Sequence, residues 1–176
     1  MKILVFSLVV LFVYVIVKYN SIVNMKNKIK QAESGIDVYL TQRFNLIPNL
    51  VEYVKGYMIY ENEVLNKITE QRAKYFENKS LKDGETLNIK CNQIMLKAES
   101  YPELKASEQF LNLQKNLSKM ESQLQAARRI YNAEVNVYNT CIEKFPTNVI
   151  AKIFRFTKEK YFEAEEENKN NTKVDL

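Results

Sequence analysis

Residues 110–141, FLNLQKNLSKMESQLQAARRIYNAEVNVYNTC, decide the fold class. Phe110, Leu113, Leu117, Met120, Leu124, Ala127, Tyr131, Glu134, Tyr138 and Cys141 recur at alternating steps of three and four. That alternation puts one apolar stripe along an α-helix, and no Gly or Pro interrupts it. The helix is expected over residues 108–144, a length of about 55 Å. A stripe of that length must be buried against other helices.

Working outward, the same spacing recurs. Ile22, Met25, Ile29, Ala32, Ile36 and Tyr39 form a stripe upstream. Pro48 starts or breaks a helix there. Leu50 or Val51, Val54, Tyr57 or Met58, Leu65 and Ile68 follow, with Glu61 and Arg72 as polar members. Residues 78–84, NKSLKDG, end in Asp-Gly and read as a loop. Leu87, Cys91, Ile94, Ala98 and Tyr101 make a shorter stripe over residues 85–100, closed by Pro102. Four amphipathic helices with short connections predict an all-α, antiparallel four-helix bundle. A long parallel coiled-coil dimer is the rival, so a homo-oligomer stays open. Gly35 and Gly56 fall inside helices, marking either close helix contacts or tolerated surface positions.

Composition agrees. Three Gly and three Pro in 176 residues are too few for a sheet fold, which needs frequent turns. The net charge of +5 reads as a solvated helical surface, and no nucleic-acid partner is expected. The chain has no His, which removes the commonest general base and metal ligand. Cys91 and Cys141 lie far apart and lack metal-ligand spacing; a disulfide stays open beside the reading as small core residues. No catalytic residue, metal or cofactor is expected.

At the N-terminus, residues 3–17 read ILVFSLVVLFVYVIV without a charge. As a helix this is about 22 Å, and Met1, Tyr19, Ile22 and Val23 can extend it toward the ~30 Å hydrocarbon core. Lys2 and Lys18 can snorkel, and Tyr14 and Tyr19 suit an interface. Lys18-Tyr19-Asn20-Ser21 offers no small-residue cleavage site, so a retained anchor over residues 1–19 is expected, inserted in the bilayer through residues 3–17. Lys2 precedes the span, whereas Lys18, Lys26, Lys28, Lys30 and Arg43 follow it. This charge bias places the remainder in the cytoplasm.

Longer runs carry a resemblance. They begin at Tyr19-Asn20-Ser21-Ile22-Val23 and continue through Gly35-Ile36-Asp37-Val38, the run from Arg43-Phe44-Asn45 to Leu50-Val51, Val54-Lys55-Gly56-Tyr57 and Tyr60-Glu61. Ala98-Glu99-Ser100-Tyr101-Pro102, Ala127-Arg128-Arg129, Tyr131-Asn132, Tyr138-Asn139, Phe145-Pro146 and Tyr161-Phe162-Glu163 follow in order. In these the chain resembles the LemA family of bacterial membrane proteins. The resemblance implies a transmembrane helix followed by a four-helix domain, here residues 20–162, and no established activity. It implies a membrane-bound helper or scaffold, and a membrane or envelope protein is the expected partner. The frequent gene neighbourhood of a membrane zinc metalloprotease links the family to membrane-protein quality control. Residues 81–89 lack the Ala-rich character usual in that region.

Two groups of residues are candidates. Asp37, Arg43, Glu99, Arg128 and Arg129 lie beside apolar stripes. They read either as a partner-binding surface or as a polar network that sets helix register. Residues 149–162, VIAKIFRFTKEKYF, mix Lys152, Arg155, Lys158 and Lys160 with Phe154 and Phe156. That composition suits a segment facing anionic lipid, or apolar residues closing the end of the bundle. Residues 163–176 read as a polar, flexible tail. The function expected is a non-enzymatic scaffold or adaptor, with a lipid-surface module as the alternative.

Overall fold

The computed structural model describes residues 1–57 and 62–162. Met58, Tyr60, Glu61, Glu163 and the expected tail lie outside the described residues. Among these there are seven helices and no strand, so the chain is all-α. They are α1 (Lys2–Phe44), α2 (Ile47–Tyr57), α3 (Asn62–Asn78), α4 (Leu81–Ala98), α5 (Pro102–Lys105), α6 (Glu108–Glu143) and α7 (Thr147–Ile153). By contacts the chain forms two units: Met1–Glu33 with the described residues from Arg128 onward, and Ser34–Ala127.

The Ser34–Ala127 unit is a four-helix bundle, and contact register gives its directions. Asp37 meets Tyr75 and Phe44 meets Arg72, so α3 runs against α1. Leu40 meets Gly84 and Arg43 meets Asn92, so α4 runs with α1. Arg43 of α1 meets Glu121 and Tyr53 of α2 meets Phe110, so successive positions along α1 and α2 meet earlier positions on α6. Ile36, Leu40, Leu50, Val54, Leu65, Ile68, Leu87, Cys91, Ile94, Phe110, Leu113, Leu117 and Leu124 are buried in it.

Pro48 explains the break between α1 and α2. A proline ring clashes with the carbonyl four residues earlier, here that of Phe44, and α1 ends at Phe44. The freed carbonyl accepts from Arg72 Nε at 2.7 Å. The loop expected over residues 78–84 is much shorter: only Lys79 and Ser80 leave the helices. Lys79 takes φ 51°, and Ser80 caps α4 by accepting from the Asp83 amide at 3.3 Å. Gly84 therefore sits inside α4, where an added Cβ would stand 2.9 Å from Leu40 Cδ1 and from Tyr75 Cε2. The close helix approach belongs to Gly84, since a Cβ at Gly35 or Gly56 would meet nothing within 4 Å.

In the other unit α1 and α6 are antiparallel. Glu33 lies near Tyr131, and Lys26 lies near Tyr138, seven residues apart on each helix and in opposite order. Ile22, Ile29, Val135, Tyr138, Ile142, Ile150 and Ala151 form the core, with Tyr14 and Val15 packed against it. The stripe expected through Glu134 and Cys141 shifts by one residue to Val135 and Ile142. A strict three–four alternation averages 3.5 residues per repeat, and a straight helix of 3.6 drifts off it by ~20° per heptad.

Helix α7 ends in a left-handed residue. Arg155 takes φ 58°, and the Phe156 amide donates to the Ala151 carbonyl at 2.9 Å, the geometry of a Schellman cap. Beyond it, residues 157–162 are non-helical.

Candidate functional site

In the bundle unit, Arg43 is 2 % exposed. A buried guanidinium needs a counter-charge and hydrogen-bond acceptors. The Glu121 carboxylate pairs with it, and Asn92 Oδ1 accepts from Nη2. Asn88 Nδ2 donates to the same Glu121 Oε2 at 3.3 Å. The group ties α1, α4 and α6 together. Cys91 lies beside it, a free thiol that burial pushes up to about 12 against the pull of Arg43. At neutral pH that thiol is protonated and unreactive.

Asp37 makes a separate link. Its carboxylate accepts from the buried Tyr75 hydroxyl, and Lys79 Nζ stands 3.7 Å away. Burial, then the bond to Asp37, pushes the Tyr75 phenol above its ordinary range. Asp37 and Arg43 therefore share α1 but bond to different groups. Arg128 lies 5.1 Å from the Phe162 ring centre. Arg129 is exposed, and Glu99 is exposed at the C-cap of α4.

The basic-aromatic segment does something its composition did not announce. Residues 157–162 form a strap held along α6 by side chains that bond to its backbone. Asn139 Nδ2 donates to the Glu159 carbonyl at 2.9 Å, and its Oδ1 accepts from the Glu159 amide at 3.0 Å. Asn132 repeats this on Phe162, at 2.9 and 2.7 Å. The Tyr138 hydroxyl donates to the Thr157 carbonyl at 2.9 Å, and Tyr131 to that of Lys160 at 3.2 Å. The periods match: seven helical residues rise about 10.5 Å, and three extended residues span about 10 Å. Two Tyr-Asn pairs one heptad apart thus serve strap positions three residues apart. Lys26 of α1 adds an ion pair to Glu159 at 3.0 Å, which raises the lysine's pKa.

The expected lipid-facing residues are distributed around this strap. Phe154 and Phe156 pack on Tyr19, with ring centres 4.8 and 5.7 Å away. Lys158 pairs with Glu143. Arg155 supplies the helix stop, and Lys152 and Lys160 are exposed. Asn132 and Asn139 did not stand out among the candidates, although the Tyr-Asn repeat at a spacing of seven was visible in the sequence.

Among the described residues no group of three or more His, Cys, Asp or Glu side chains is placed to hold a metal ion. Helix α1 opens with a segment long and apolar enough to cross a membrane.

Comparison with known proteins agrees with these features. Protein LemA of Metamycoplasma hominis is 31% identical over 147 residues, which is 80% of this chain and 66% of that protein. Magnetosome protein MamQ 2 of Paramagnetospirillum magneticum is 24% identical, covering 93% of this chain and 71% of its own length. Magnetosome protein MamQ of Magnetospirillum gryphiswaldense is 23% identical over 90% of this chain and 69% of its own length. None of these names describes a reaction. The LemA family profile matches residues 32–176, from the middle of α1 onward, and the chain belongs to the LemA family.

Proposed function

We propose that this protein is a single-pass, membrane-anchored scaffold, held in the bilayer by residues 3–17 and binding another envelope protein through the outer face of α6. The observation that carries the reading is a second apolar stripe. Ile130 is 58 % exposed and Val137 50 % exposed, and exposed Ala133 lies between them. Steps of three and four put them on one side of the helix. The opposite stripe, Val135, Tyr138 and Ile142, is already buried. A face of that spacing suits a partner helix. The positive charges after the span favour a cytoplasmic domain. Asp37 and Arg43 serve this scaffold by fixing helix register, and Arg128 by covering the strap's last ring.

A second reading, a membrane-surface module, is favoured by the aromatic contacts of Phe154 and Phe156 with Tyr19. Two variants of the full chain separate the readings. Ile130→Asp with Val137→Asp is expected to abolish co-purification of a protein partner from membranes in a chain that still melts normally. Lys152, Arg155, Lys158 and Lys160 changed together to Gln should leave the partner bound. Loss of the partner only in the second variant would overturn the scaffold reading.

A further inference from the structure

We infer that the turn between α6 and α7, with the outer face of α7, is inserted into the lipid interface beside the transmembrane helix, so that the chain contacts the bilayer through two elements. This rests on the reading of residues 3–17 as a membrane span. Helix α7 has its faces divided in an unusual way. Ile150 and Ala151 turn inward and pack in the cluster that also receives Tyr14 and Val15 of the apolar stretch. On the other side Phe145 is 82 % exposed, Val149 50 % and Ile153 69 %. Val149 and Ile153 lie four residues apart on one face of α7, and Phe145 lies in the turn before it.

The depth follows from the packing. Tyr14 and Val15 belong to the span itself, and Phe154 packs on Tyr19 just past its end. The outer face of α7 therefore lies level with the end of the span, where acyl chains give way to headgroups. In water these three large apolar side chains, two on the face of α7 and one in the turn before it, would stay uncovered, whereas a bilayer edge at this level covers them. Lys144 and Lys152, both exposed, flank the face and can reach the headgroups along their alkyl stems. The contact is apolar insertion and needs no anionic lipid. That separates it from attraction of the basic residues 152–160 to charged headgroups.

The chain contains no Trp, so single-Trp variants report one site each. Phe145→Trp, Ile153→Trp, Val9→Trp and Ile130→Trp would be made in the full chain and reconstituted in neutral phosphatidylcholine vesicles. The readout is fluorescence quenching by acyl chains brominated near the headgroup for positions 145, 153 and 130, and by chains brominated near their methyl ends for position 9. Ile130 lies about 20 Å along α6 from its end, and serves as the aqueous reference. Quenching of about twofold at positions 145 and 153, unchanged in high salt and absent at 130, is the expected result. Quenching at position 9 but not at 145 or 153 would overturn the inference and leave the anchor standing. No quenching at position 9 would overturn both. The unsubstituted chain gives an independent check with a diazirine-bearing lipid. Adducts are expected on the tryptic peptide 145–152, and their absence there, with adducts on residues 3–17, contradicts the inference.

Discussion

Asn139 grips Glu159 with both ends of its amide, donating to the carbonyl at 2.9 Å and accepting from the backbone N–H at 3.0 Å. Glu159 is thereby held as if by a neighbouring strand, although its partner is a helix side chain. Removing that grip leaves two backbone groups to find other partners. Asn139→Ala is expected to cost about 1–3 kcal/mol. It should also free the strap, so limited trypsin digestion should cut faster after Lys158 and Lys160. Unchanged cleavage there would show that Asn139 does not hold the strap.

Arg43 and Glu121 should behave as a unit. Arg43→Met leaves the Glu121 carboxylate without its ion-pair partner, and the expected loss is about 3–5 kcal/mol, less to the extent that Glu121 reaches water. The double variant Arg43→Met with Glu121→Leu should recover most of it. Chemical denaturation of all three proteins checks this. Additive losses would mean that the pair does not set the packing of α1 on α6.

The three glycines should respond in opposite directions. Gly35→Ala and Gly56→Ala place a methyl in open space and are expected to stabilise by up to about 1 kcal/mol through helix propensity. Gly84→Ala drives a Cβ against Leu40 and the stiff Tyr75 ring. The overpacking cost of about 1–3 kcal/mol exceeds the propensity gain. Thermal melts compare the three, and a stabilised Gly84→Ala variant would contradict the packing described for α4.

Much of this was legible in the chain. The expected helix over residues 108–144 matches α6 to within one residue, because its stripe is long and free of Gly and Pro. Residues 78–84 read as a loop because Asp83-Gly84 is a strong turn signal. Ser80 overrides it by capping a helix that needs Gly84 for packing. The strap is harder to read for another reason. Most of its bonds run from α6 side chains to its backbone, and such contacts leave no trace in the residue types of the segment held.

Alkaline pH should loosen the strap region. Burial raises the Tyr138 and Tyr131 phenols, and Glu159 raises Lys26. Groups whose pKa is raised on folding stabilise the fold below their unfolded values, 10.0 for Tyr and 10.5 for Lys. That stabilisation is lost as pH climbs through the raised folded values. Phenolate absorbance of the folded chain should therefore rise at higher pH than that of the denatured chain. Coincident titration curves would contradict the placement of Tyr138 in the core and of Tyr131 at its edge.

The central claim, a scaffold that binds through the outer face of α6, is tested most directly by a photo-crosslinking residue placed at Val137 of the full-length chain in its native membrane. The account predicts a discrete adduct with another envelope protein, lost when Ile130 is changed to Asp in a chain that still melts normally. Adducts with lipid or with a second copy alone, or the same protein adduct from Lys119, would contradict it.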